Sequence, residues 1–212
     1  AVTTLAANVA AVKFLNTASF DIGTVNATVG VTATGNVTLD STTGATQSAA
    51  ISAAGLELLG VAGVHTLTDP GNQIVTLAGN TGVVSFADNG TGFDIGTVNT
   101  VGLTTSGNTT LSSTGAVTQS QKVAAAGLEL LGVGGTYTLT NTGNAITTLA
   151  GNTGAVSFLE NSGFAIGTVN TVGLTTTGNV TLSSTATVTQ SAAISAAGLE
   201  LLGVAGIYTL NT

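Results

Sequence analysis

The chain has 212 residues, of which 5% are charged, and nine acidic against two basic residues give a net charge of −7. With Lys13 and Lys122 as its only cations there is no basic patch to neutralise phosphates, which excludes nucleic acid and disfavours anionic membrane surfaces. The absence of Cys excludes disulfides and thiolate metal sites, while 43% hydrophobic residues and a single Pro argue against disorder.

No stretch approaches the roughly 18 uninterrupted apolar residues of a membrane-spanning helix, because Gly, Thr, Ser or Asn intervene every few positions, and no membrane insertion is expected. The chain does not begin with Met and has no charged region followed by an apolar one, so it reads as a mature or internal segment.

One unit recurs along the chain. "GLELLG" begins at Gly55, Gly127 and Gly198, "F-x-IGTVN" at Phe20, Phe93 and Phe164, and "TQS" at Thr46, Thr118 and Thr189. The period divides a single continuous segment, residues 1–212, into a partial unit 1–54, full units 55–126 and 127–197, and a partial unit 198–212. Self-similarity at this spacing implies a stacked architecture in which each repeat buries its face on the next.

In chain order, residues 1–7 read as the tail of a coil, 8–35 as a full coil and 36–54 as another. The third unit shows the pattern most clearly: residues 127–151, 152–178 and 179–197 each hold three short runs of alternating apolar and polar residues, separated by Gly, Asn, Ser or Thr. Helical periodicity is missing. The expectation is an all-β parallel β-helix of about nine coils with three strands each and uncapped ends.

Alternation assigns the faces. Val180 and Leu182 point inward with Thr181 outward; Leu128 and Leu130 point inward with Glu129 outward. Phe164 and Ile166 point inward, which leaves Asp21 and Asp94 of the sister coils in solvent. Ile166 and Val169 have opposite parity, so a bulge or corner is expected at Gly167–Thr168. A coil opens at Asn36, Asn80, Asn108, Asn152 and Asn179, each after a Gly, and at Asn8 after Ala7. Asn tolerates left-handed backbone, and these six are expected to form a corner ladder of amides on successive coils.

Candidate chemical groups are few. His65 occupies the position of Tyr137 and Tyr208 and reads as an aromatic substitute at the edge of the core, since zinc would need several His or Cys ligands. Glu57, Glu129 and Glu200 recur at one position and are expected to be solvated outward charges that resist lateral aggregation. Asp21, Asp40, Asp88, Asp94 and Glu160 are scattered. Carboxylates about 5 to 9.5 Å apart could serve glycoside chemistry, but the clustered acids with basic partners usual there are missing. Gln47, Gln119 and Gln190 belong at a corner or in a buried ladder, with the corner favoured. The N-x-T triplets at Asn26, Asn36, Asn108 and Asn179 fit a glycosylation sequon but follow equally from turn chemistry. Thr66/Thr68 and Thr138/Thr140 suggest an ice-binding ladder, yet the pair comes once per three coils. No catalytic, cofactor-binding or metal-ligating residue is assigned.

The strings "GNVTL", "A-x-TQSAAISAAGLELLG" and "YTLTNTGNAITTLAGNTGAVSF" resemble the β-strand repeats of the filamentous-haemagglutinin-like exoproteins, which Gram-negative bacteria export by two-partner secretion. The resemblance covers the whole chain and marks a type of shaft rather than a binding site. It implies a right-handed parallel β-helix, an extracellular or cell-surface location and a role in adhesion, surface fibres or biofilm. The function expected is therefore a non-enzymatic structural shaft of an adhesin or fibre, self-associating head to tail or laterally, with a host-cell or surface glycan as a further expected partner. The alternatives are a carbohydrate-binding or carbohydrate-degrading β-helix and, less favoured, an ice-binding solenoid. The sequence starts and stops in mid-coil, at Ala1 and Thr212, and its last residues nearly run into its first, with about three residues missing. That match suggests a window on a longer repetitive protein or a unit that stacks into a filament.

Overall fold

The computed structural model describes residues 1–88 and 90–211, and within them the chain is an all-β solenoid of about 10 turns, close to the nine expected. Thr212 lies outside the described residues. Each turn stacks in parallel on the one before. Asn36 pairs with Gly55, Gly55 with Thr76 and Leu103 with Val123, advances of 19, 21 and 20 residues, whereas Gly79 pairs with Leu103 after 24. The longer turn carries an outer hairpin. Because neighbouring strands are successive turns of one coil, the closed ring of pairings is a solenoid and not a barrel. At about 4.8 Å per turn the rod is about 50 Å long.

The turns differ in how continuous their strands are. Ile51–Leu67 and Gln73–Asp88, like their copies Val123–Leu139 and Ala145–Leu159, run unbroken round corners where the sequence suggests several short strands. Gly60 shows why. Its φ is +113°, and a Cβ there would lie 2.0 Å from the Ser41 carbonyl oxygen; only Gly lets the chain bend while the ladder shifts register and resumes at Val64. The flanking turns are built from short strands such as Leu103–Thr105, Thr109–Ser113 and Ala116–Gln119.

The core follows the period-two pattern. Leu128, Leu130, Ile166, Val180 and Leu182 are fully buried and Phe164 nearly so, as alternation assigns. Burying each such side chain contributes about 1.5–3 kcal/mol. Three edge-to-face pairs, Phe14–Phe20, Phe86–Phe93 and Phe158–Phe164, recur at one corner with ring centroids 4.9, 5.3 and 5.2 Å apart.

Parity breaks at Gly167 because the chain leaves the coil altogether. Residues 167–173 form a small antiparallel excursion, as do 96–102 and 23–30, each closed by the N–H of its last Gly donating to the carbonyl of its first at 2.8 Å. The bulge or corner expected there is a hairpin standing on the outer surface.

Candidate functional site

The hairpins create the most organised polar site of the molecule. Ile95 stacks on Leu77 and Leu103 on Gly79, so residues 96–102 project over the single residue Ala78 and fold back across the two preceding turns. There Asn99 Nδ2 donates to Glu57 Oε2 at 2.7 Å, while the Thr100 N–H and hydroxyl donate to Oε1 at 2.6 and 2.7 Å. Thr38 Oγ1, one turn below, donates to Oε2 at 2.8 Å. The second copy repeats this: Asn170 Nδ2, Thr171 N–H and Thr110 Oγ1 donate to Glu129 at 2.7, 2.5 and 2.8 Å. The tip Val is seated too. A Cβ on Gly55 would meet Val98 Cγ2 at 2.9 Å, and one on Gly127 would meet Val169 Cγ2 at 2.9 Å, so the Gly before each Glu is the seat for Val.

The outward, solvated reading of Glu57 and Glu129 is therefore corrected. Both point outward, yet they are 2% and 1% exposed because the hairpin covers them. Burial works to raise each carboxyl's pKa, but the cover is one hairpin thick and the side-chain and backbone donors outweigh it, holding both below the ordinary value of 4.5. Glu200 alone fits the expectation: it is exposed and, among the described residues, accepts a bond from Thr181 only, at 3.0 Å.

A second set of polar groups lies inside the Phe corner. Asn16, Asp88 and Glu160 stand at equivalent positions and are all buried. Asn16 Oδ1 accepts from the Val2 N–H, and Asp88 Oδ2 accepts from the Ile74 N–H in the same way. Asp88 also accepts from the Gly90 N–H at 2.9 Å; burial nevertheless pushes its carboxyl above the usual value. Glu160 accepts from Ser162 through Oε1, and its Oε2 has no partner. Repeat logic passes over this corner because its three copies carry three different residues.

His65 does replace Tyr137. Its Nε2 bonds the Leu59 carbonyl at 3.2 Å and its Nδ1 is unpaired, whereas the Tyr137 hydroxyl lies 2.9 and 2.6 Å from the carbonyls of Leu111 and Leu131. Desolvation lowers the His65 pKa below 6.5, against smaller opposing effects of the Leu59 carbonyl and Asp40. A depressed base binds its proton more readily in the unfolded chain, so its contribution is lost as pH falls below about 6.5. His65→Tyr is expected to raise stability by about 1–2 kcal/mol at neutral pH and to remove that part of the pH dependence. Thermal unfolding at pH 7 and 5 checks both effects.

The six Asn at the starts of coils form no ladder. By register Asn36 lies beside Gly55, Asn179 beside Gly198, Asn8 beside Thr32, Asn80 between Leu59 and Thr104, and Asn152 between Leu131 and Thr175. Asn108 immediately precedes Thr109–Ser113. None has a left-handed backbone; among the described non-Gly residues only Asn26, at φ 53°, does. The amides that bind turn to turn are others. Buried Asn72 exchanges amide bonds with Gln47 one turn away, receives the Ile51 N–H at 2.8 Å and donates to the carbonyls of Leu67 and Ala87. Asn144 and Gln119 repeat the arrangement. Gln47 and Gln119 thus sit half-buried at strand ends, each paired with a buried Asn.

The remaining candidates are tied into the same scaffold. Asp21 and Asp94 lie on the outside and accept from Thr46 and Ser48, or Thr118 and Ser120, of the next turn. Thr66 and Thr138 meet Ser85 and Ser157 on the following turn, so the Thr pairs do not continue. A hollow of about 340 Å³ adjoins Asp88, whose carboxylate faces the Ile74 and Gly90 N–H groups. Among the described residues no group of three or more His, Cys, Asp or Glu is placed to hold a metal ion. No protein-family model, curated protein or solved structure matches the chain. Fold and site together define a β-solenoid whose turns are fastened by recurrent carboxylate clasps.

Proposed function

We propose that the chain is a structural shaft, a non-enzymatic module of a bacterial extracellular adhesin or surface fibre. The observation that carries this reading is the use made of the acidic side chains. Glu57 and Glu129, carboxylates that recur in register, accept from a Thr one turn below and from a hairpin two turns above, so they hold turns together rather than face a ligand. Asp21, Asp94 and the Gln–Asn pairs do the same between adjacent turns.

A sugar-binding surface draws on aromatic platforms, and here Phe20, Phe86, Phe93, Phe158, Phe164 and Tyr137 are all in the core. That supports the shaft over the carbohydrate alternative. The extracellular placement rests on the resemblance of the repeats to secreted exoproteins. An antibody against the folded chain should label intact cells of the source strain; label that appears only after lysis contradicts the placement.

A further inference from the structure

Hairpin 167–173 is fixed at its base and only lightly held at its tip. At the base the Gly167 N–H donates to the Leu149 carbonyl, the Gly173 N–H to the Gly167 carbonyl and the Leu174 N–H to the Ala193 carbonyl. The flanking Ile166 and Leu174 are fully buried. None of residues 168–172 is buried, and Val172 is 68% exposed. Among the described residues this tip is bonded to the turns below through Glu129 and Thr110, and Val169 is seated on Gly127. Lifting the tip therefore breaks no part of the ladder and removes nothing from the core.

One ionisable group serves this contact. Thr110 lies below Glu129 and Ala150 above it, Ser85 lies below Thr110, Ala165 precedes the hairpin, and Ala193 lies over Gly173. Among the described residues none of these elements turns a second charge toward the tip. The copy at 96–102 differs. Asp94 stands where Ala165 does, Lys122 lies over Gly102 where Ala193 lies over Gly173, and Lys13 lies one turn below Thr38.

Both oxygens of Glu129 are engaged by donors: Oε1 by the Thr171 N–H, Oε2 by Asn170 Nδ2 and Thr110 Oγ1. A proton added to either oxygen must displace one of them or turn the Thr110 hydroxyl round. We infer that residues 168–172 form a strap that lifts off Glu129 in acid and reseats at neutral pH, while the solenoid beneath stays folded. Burial works to raise the Glu129 pKa, but the donors outweigh it and hold the seated carboxyl below 4.5. Seating is thus favoured above that value and lost as pH falls through the pKa of the seated carboxyl. Lifting frees Val169 beside the exposed Val172 and bares Gly127 and Glu129, so one side of the rod trades a closed polar cover for a free apolar tip.

The test uses the 212-residue chain and two variants. Glu129→Gln keeps the shape but sets an amide donor against the same donors at every pH. Asn170→Ala removes one donor at an exposed position. Amide exchange, corrected for its intrinsic pH dependence, is followed at Thr171 and Leu174 from pH 6 to 3. In the unaltered chain protection at Thr171 should fall by roughly tenfold or more and recover on return to pH 6, while Leu174 and circular dichroism change little. In Glu129→Gln, Thr171 should be as weakly protected at pH 6 as the unaltered chain is at pH 3. Asn170→Ala should release at a higher pH than the unaltered chain. Thr171 protection that stays level to pH 3, or that falls only together with Leu174, overturns the strap. So does a Glu129→Gln variant that titrates like the unaltered chain, or an Asn170→Ala variant with the same midpoint.

Discussion

Replacing Leu130 with Asp is expected to abolish cooperative folding of the central turns, a loss of more than about 4 kcal/mol. Leu130 is fully buried and pairs with Leu111 on one side and Gly151 on the other, so its side chain lies in the middle of the stack. The substitution forfeits about 1.5–3 kcal/mol of apolar burial. It also places a carboxylate where no donor can reach it, a larger penalty that the chain escapes only by protonation or local opening. Val133, 75% exposed on the same strand, is the control. Val133→Asp should change stability by less than about 0.5 kcal/mol. Thermal and urea unfolding followed by circular dichroism separate the two. A Leu130→Asp variant that melts like the unaltered chain contradicts the inward assignment.

The second large effect belongs to the clasp. Glu129→Ala leaves the Thr171 N–H and Thr110 Oγ1 without the acceptor they share beneath the hairpin, while the exposed Asn170 keeps its bond from Nδ2 to Thr110 Oγ1 at 3.1 Å. An unsatisfied donor under cover costs about 1–3 kcal/mol, and water admitted as the hairpin lifts offsets part of it, so a loss of about 2–3 kcal/mol is expected. The effect is local as well as global: the Thr171 amide should exchange with solvent much faster, while that of Leu174, bonded to the Ala193 carbonyl, changes little. The clasp also sets a pH dependence. Its donors hold the Glu129 pKa below 4.5 in the folded chain, so the stabilisation is present above that value and is lost as pH falls through the folded pKa. Unfolding measured from pH 7 down to 3 should show a shallower acid-side loss in the variant. Equal slopes would mean that the carboxylate contributes nothing as an anion.

The architecture was legible because it rests on local periodicity. The 71- to 72-residue repeat and the inward assignment of Leu128, Leu130, Val180, Leu182, Phe164 and Ile166 depend on side-chain alternation, which one strand carries by itself. The clasp depends on a contact 42 residues away, between Glu129 and Thr171, and parity cannot see a cover that folds down from two turns above. A signal was nevertheless present. "GTVN" recurs in step with "GLELLG", and the Gly before each Glu is the seat for the Val of the hairpin.

The corner amides show the same limit from the other side. Gly-Asn pairs were visible, but those at strand starts lie against Gly, Leu or Thr of the next turn, whereas Asn72 and Asn144, which also follow Gly, do the cross-linking. Their spacing of 25 residues from Gln47 and Gln119, one turn of the coil, distinguishes them. At the Phe corner the substitution of Asn16 by Asp88 and Glu160 hid a recurrent buried site from any comparison of identical residues.

Electron microscopy of native material carrying an antibody label tests the central claim most directly. The shaft account predicts label on thin rods or fibres outside the cell, with the stacked turns about 4.8 Å apart along their length. Label confined to the cell interior, on compact particles no longer than they are wide, would contradict it.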